Sequence, residues 1–249
     1  MSRRNVHAII ENNIESFLCV VYAYYYENIL PVGIALDGFY QPQLGVDEYH
    51  VITDIVKAQT VYDAVEKKIS YASALFVVHA FMAANDDRLM NMFQYIVLGF
   101  KKGPDVDAYL QLDYVLATHK NARAVGGEAH LLTGFCRFSE TTSGVYYCAI
   151  SPVNDVLSIL ADHFSERMNY QNWIIHDTKR NKAAIYNGKE YQITMTPKDA
   201  AVEYTDEELL VQDLWKTFFK TVAITERINK KLQRNNLPLH HRKHMTEFE

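Results

Sequence analysis

The stretch Trp173-Ile-Ile-His-Asp-Thr-Lys-Arg-Asn-Lys-Ala-Ala-Ile-Tyr-Asn-Gly-Lys-Glu-Tyr-Gln-Ile-Thr-Met195 decides the class of fold. It holds three short runs, Trp173 to Thr178, Lys182 to Asn187 and Glu190 to Met195, each separated by turn residues. Asn187-Gly188 is the dipeptide of a tight hairpin, so the stretch predicts an antiparallel meander. Upstream, the aromatic-rich runs Leu132 to Ser139 and Val145 to Ser151 are joined by Glu140-Thr-Thr-Ser-Gly144, a second hairpin signal, and a helix at Val153 to Met168 separates the two groups. Downstream, Thr205-x-x-Glu208 is a capping box that opens a long helix. Earlier in the chain the period is mostly helical, with helices expected at Ile14 to Ile29, Asp54 to Lys68, Ser70 to Ala84, Asp86 to Lys101 and Asp105 to Arg123. Short strands are expected at Val6 to Glu11 and Tyr49 to Thr53, and Pro31 to Glu48, with Gly33, Gly38, Pro42 and Gly45, reads as a loop. The reading is α+β: a helical layer packed on an antiparallel meander of about five strands, with a long amphipathic C-terminal helix. Residues 1–125 form a mainly helical part and residues 126–249 carry the sheet and the basic helix, the two making one compact unit.

Composition narrows the class further. The 249 residues are 49% hydrophobic and 22% charged, which is globular and neither disordered nor fibrous. No apolar run reaches the roughly 18 to 20 residues of a membrane span, and the N-terminus is too short and polar for a secretory signal. Cytoplasmic residence is the expectation, with no membrane partner. Cys19, Cys136 and Cys148 form no C-x-x-C pair and suggest core thiols in a reduced compartment, with Cys136 and Cys148 flanking the first hairpin.

Charge is uneven along the chain. Net charge is −5, yet Leu214 to Glu249 carries eight Lys/Arg against three Asp/Glu, which leaves −10 on residues 1–213. At about 100° per residue, Lys216, Lys220, Arg227, Lys230, Lys231 and Arg234 of a continuous helix share an arc of roughly 100°. Val211, Leu214, Trp215, Phe218, Val222 and Leu232 fall opposite, so such a helix docks through one stripe and displays the other. The basic stripe would run about 27 Å, with only Glu226 near its edge; a polyanion is the partner it suits, against the alternatives of a plain solvated face or a tail folded back onto the chain's own acidic body.

Acid/base candidates are fewer. Glu128-Ala-His130 stands just ahead of the first expected strand of the sheet, and His176-Asp177-x-x-Arg180 sits on a strand and its turn. A carboxylate beside His and Arg serves general base chemistry or holds a flipped nucleotide; the plainer expectation is an exposed Asp177–Arg180 pair. His163 and Arg167, four apart on one helix, suit phosphate contact or helix-end compensation. His240, His241 and His244 have metal-compatible spacing, but no carboxylate or Cys is nearby in sequence, so a solvated tail and no metal are expected. Gly126-Gly127 is no phosphate loop, and nothing marks an ATPase, kinase or serine hydrolase.

Six segments read together resemble one family: Glu128-Ala-His130, Gly134-Phe-Cys-Arg-Phe138, Tyr147-Cys-Ala-Ile-Ser-Pro152, His163-Phe-Ser-Glu-Arg167, Trp173 to Arg180, and Leu214-Trp-Lys-Thr-Phe-Phe219. It is the family of DNA metabolism or repair proteins of unknown function that accompany a radical S-adenosylmethionine protein, with related domains fused to uracil-DNA-glycosylase-like domains. The resemblance runs from about Val51 to Met245 and includes Ile224-Thr-Glu-Arg-Ile-Asn229, Gln233 and Pro238. Leu131 follows His130 where the family tends to carry a basic residue, which counts against a phosphate contact there. The resemblance implies a DNA-linked role and a radical S-adenosylmethionine partner, and it supplies no reaction; no cofactor of the chain's own is expected. Two functions follow as expectations. The first is a DNA-binding accessory module, with the basic helix on the backbone and Arg137, His163, Arg167 and Arg180 adding contacts. The second is a base-processing enzyme with Glu128 or Asp177 as acid/base residue near His130 and His176.

Overall fold

The computed structural model describes residues 3–42, 44–197, 202–224, 227 and 229–248, and divides into two compact units, Met1–Val125 and Gly126–Glu249. The fold is α+β. Among the described residues, no helix is long and apolar enough to cross a membrane.

The first unit opens with β1 (Arg4–Ile10), α1 (Ile14–Tyr26) and β2 (Ile29–Leu36), a parallel βαβ arrangement, and β3 (Asp47–His50) adds parallel to the other side of β1. The Asn13 side chain caps α1 by accepting the Ser16 N–H at 2.7 Å. Tyr22 and Tyr26 stack as their spacing requires, with ring centroids 4.5 Å apart. Strand β2 corrects the expected loop. Its Pro31 and Gly33 flank a register shift against Val6 and His7, and β2 is an edge strand, where a residue without an N–H is tolerated. Gly33 is also required sterically, because a Cβ there would stand 2.4 Å from the His7 ring. Four helices follow: α2 (Ile55–Lys68), α3 (Tyr71–Phe81), α4 (Arg88–Lys102) and, after a 3-10 turn at Gly103–Ala108, α5 (Asp113–Phe135). Asp54 and Ser70 cap α2 and α3 with their side chains. The core gathers Phe17, Val20 and Val21 of α1, Val61 and Val65 of α2, and Met92, Tyr95 and Ile96 of α4. Within it, Asp107 Oδ1 accepts the Tyr95 hydroxyl at 2.7 Å and lies 2.9 Å from His119 Nε2.

Helix α5 overturns two expectations. The segment Leu132 to Ser139 is helical as far as Phe135, leaving a two-residue strand β4 (Ser139–Glu140), and Gly126-Gly127 lies inside the helix. The second unit continues with β5 (Tyr146–Ile150), α6 (Leu157–Arg167), β6 (Asn172–Asp177), β7 (Lys182–Asn187) and β8 (Tyr191–Met195), in sheet order β4-β5-β6-β7-β8. It is a mixed sheet and not a simple antiparallel meander. The crossover through α6 makes β5 and β6 parallel, while every other pair is antiparallel. Trp173 has no solvent exposure and stacks on Tyr186 at 5.0 Å, so it anchors the face of the sheet that α6 covers.

No long C-terminal helix forms. The Thr205 hydroxyl caps α7 (Asp206–Val222) through the Glu208 N–H, as the capping box requires, but Ala223 takes an extended conformation. Helix α8 (Lys230–Asn236) starts afresh on Asn229, whose side chain accepts the Leu232 N–H, and α9 (Leu239–Arg242) follows Pro238. The angular arithmetic for one stripe therefore fails beyond Lys220, and Glu226 lies outside the described residues. The expected apolar stripe does not dock either: Val211, Leu214, Phe218, Val222 and Leu232 are all more than half exposed. The contacts of α7 are polar and aromatic, from Glu208 to the Glu140 N–H, Gln212 to Ser139, and Phe219 to Phe248.

Candidate functional site

Of the two carboxylates expected to be catalytic, Glu128 holds a short backbone segment directly, and Asp177 orients the Arg180 that holds the same segment. Glu128, on α5 and 8% exposed, accepts the Val153 N–H at 2.7 Å and, at 2.8 Å each, the backbone and side-chain N–H groups of Asn154. Asp177, at the end of β6, accepts the backbone N–H groups of Lys179 and Arg180 and an Arg180 guanidinium N–H at 2.9 Å. Arg180 in turn donates to the carbonyls of Pro152 and Val153. Together they clamp residues 152–154, the link from β5 to α6. Asp177 has no exposure, so its pair with Arg180 is buried at the carboxylate and not the exposed pair expected. Neither carboxylate lines the cavities beside the sheet described below.

The other expected residues scatter. His130 is exposed, about 200° around the helix from Glu128, and does not join it. Arg137 is committed to Glu247 through two N–H donors, at 2.6 and 3.1 Å. His163 meets the Phe164 ring edge-on, and Arg167 is exposed at the end of α6. Lys220 of α7, Lys230, Lys231 and Arg234 of α8, and Arg227 between them are exposed, and Lys216 is half-buried.

Neighbouring strand residues face opposite ways, so His176 points away from Asp177 to the other face of the sheet. There its Nδ1 lies 2.7 Å from the Tyr147 hydroxyl of β5, while its buried Nε2 has no partner among the described residues. Burial lowers the His176 pKa below its ordinary value despite Asp177, and burial pushes the Tyr147 hydroxyl up to about 12, so both groups are neutral near pH 7. Both line a cavity of about 390 Å³ with Val145, Ile174, Ile185 and Thr196. Tyr147 also borders a smaller cavity of about 140 Å³ with Arg137, Gln212 and His244. Beside it, the Ser151 hydroxyl lies 2.7 Å from both His244 Nε2 and the Thr178 hydroxyl. Burial first, then Lys243 and His176, lowers the pKa of His244, which leaves a neutral imidazole against a serine. Tyr147, Ser151 and His244 were not expected at a site; Tyr147 and Ser151 stand in one quoted segment, and His244 in the histidine triplet.

That triplet is no solvated tail. His241 is buried, and its Nε2 lies 3.5 Å from Glu128 Oε1, with His240 Nε2 at 3.9 Å from the same oxygen. The carboxylate missing from the local sequence thus arrives from α5. Cys136 and Cys148 are free thiols and neighbours; hydrogen bonding between them, and then burial, hold the Cys136 thiol well above its usual range.

Comparison with curated proteins returns no match. The profile of a family described as a domain of unknown function, DUF4130, matches residues 86–247, from the start of α4 to the Glu247 that holds Arg137. It thus takes in both carboxylate clamps, the Tyr147–His176 pair and the three C-terminal histidines, and spans well over half of the sequence. On that extent the chain belongs to the DUF4130 family, a domain of unknown function.

Proposed function

We propose that the chain is a DNA-binding accessory module that holds the nucleic-acid backbone for a radical S-adenosylmethionine partner. One observation carries the DNA half of this reading. Lys216, Lys220, Arg227, Lys230, Lys231 and Arg234 fall within nineteen residues of sequence, and none of them makes an ion pair among the described residues. Unpaired cations gathered on one segment of an otherwise acidic chain favour an external polyanion. The partner is drawn from the family resemblance. Arg137 and Arg180, spent on Glu247 and Asp177, are withdrawn from the DNA-contacting set.

The test is a salt titration of duplex DNA binding. With about three to five phosphates neutralised, log K should fall against log salt with a slope of about −3 to −4.5. Lys230→Gln with Lys231→Gln should flatten that slope by about 2 and weaken all sequences alike. A slope near zero in the wild type would end the proposal.

A second reading, a base-processing enzyme, is favoured by the unpartnered Nε2 of His176 beside a cavity of nucleobase size. Glu203 is the one carboxylate among the residues lining that cavity, and Glu128 and Asp177 are bonded elsewhere. Base release from uracil-containing or alkylated duplexes, lost in His176→Ala with DNA affinity kept, would replace the accessory reading with this one.

A further inference from the structure

We propose that Glu128, His240 and His241 form a binding site for a divalent transition-metal ion of zinc-like chemistry, with one coordination position left open. Three ligand atoms, one from each residue, lie within 4.8 Å of one another. Glu128 stands on α5 and the histidines on α9, so the convergence is a product of the fold and not of local sequence.

The spacing is informative. A charge-assisted hydrogen bond between imidazole and carboxylate closes to about 2.7 to 2.9 Å. The Glu128 Oε1 distances to His241 Nε2 and His240 Nε2 are 3.5 and 3.9 Å, too long for that contact. They lie near the roughly 3.4 Å edge of a tetrahedron whose ligands stand about 2.0 to 2.1 Å from a central zinc ion. His240, with a side chain 44% exposed, has room to move toward that geometry.

Orientation and charge support the same assignment. Glu128 is fixed by three N–H donors from Val153 and Asn154, all of them neutral, and no Lys or Arg pairs with it among the described residues. Such a carboxylate, nearly buried and held only by neutral donors, offers an oxygen ligand with no competing cation among the described residues. Adjacent helical residues ordinarily point about 100° apart, yet the His240 and His241 rings lie with centroids 4.0 Å apart and both Nε2 atoms turned toward one oxygen. Two imidazoles and one carboxylate form a donor set suited to zinc, and three protein ligands leave a place for water or an anionic oxygen.

The experiment uses the full chain, tag removed and chelator-treated. Zn²⁺ titrated in a calorimeter should bind 1:1, and Co²⁺ in its place should show the visible absorption of a four-coordinate ion. His240→Ala and His241→Ala should each abolish the cobalt spectrum and weaken Zn²⁺ binding by more than the about 10- to 100-fold that loss of a supporting partner costs. His240, being exposed, serves if the buried His241 variant fails to fold. His130→Ala, on the same helix as Glu128 but facing away, should bind like the wild type. Absence of 1:1 binding in the wild type overturns the proposal, as does binding that survives His240→Ala or is lost equally in His130→Ala.

Discussion

Asp177 shows at the scale of one residue how burial changes the weight of an ion pair. On the sequence it is an aspartate three residues before an arginine in a turn, where an exposed pair contributes about 0 to 1 kcal/mol. In the fold its side chain has no exposure, accepts three N–H donors, and orients the guanidinium that holds the Pro152 and Val153 carbonyls. Removing the charge leaves Arg180 uncompensated at a partly covered site and loosens the clamp on residues 152–154. Asp177→Asn should therefore cost about 2 to 3 kcal/mol in chemical denaturation, with DNA affinity of the folded variant unchanged. A loss under 0.5 kcal/mol would mean that the pair is solvated in solution. The sequence suggested the Asp177–Arg180 pair, which forms, and gave Glu128 no structural partner. What Glu128 and Arg180 hold in common, residues 152–154, was hidden because most of those contacts are to backbone, which has no side-chain signature.

Among the elements, those whose period is set by a single buried face were legible: α1 to α4, α6 and strands β5 to β8 stand within a few residues of their expected places. The misses have local physical causes. Pro31 and Gly33 are turn residues by composition, yet in β2 one sits on an edge and the other makes room for the His7 ring. The helix expected to end at Arg123 runs on through Gly126-Gly127 to Phe135 as α5, and the C-terminal helix ends where Ala223 turns extended, at a position with no Gly or Pro to mark it. The Gly33 account is testable. Gly33→Ala should destabilise the chain by about 1 to 3 kcal/mol through overpacking. In a His7→Ala background the same change should cost far less, because the 2.4 Å clash is with the imidazole. Equal costs in both backgrounds would place the constraint in the backbone instead.

For the whole molecule the sequence conveyed the class and the charge imbalance, while the constellation around Glu128 and the Tyr147–His176 pair depended on tertiary approach over more than twenty residues of chain. One consequence of that folding concerns pH. His7 and His79 in the first unit and His176 in the second have pKa values lowered from the ordinary 6.5, in each case first by burial. The unfolded chain therefore binds protons at these positions at a pH where the folded chain does not. Stability conferred by keeping them neutral is complete above pH about 6.5 and is lost as pH falls from there through the lowered folded values, by up to about 1.4 kcal/mol per pH unit for each histidine. Carboxylates work in a lower window: the hydrogen bond from Lys57 holds Glu27 below its ordinary 4.5, and at Glu247 burial pushes upward but is outweighed by Arg137, a backbone N–H and the Trp215 indole together. Denaturant midpoints should hold steady from pH 8 to 7 and then fall toward pH 5.5. His79→Gln, at a position where burial is the cause of the shift, should shallow that fall by roughly one proton's worth. Midpoints that rise toward pH 5.5 would require these imidazoles to gain anionic partners in the folded chain and would reverse the sign of the whole account.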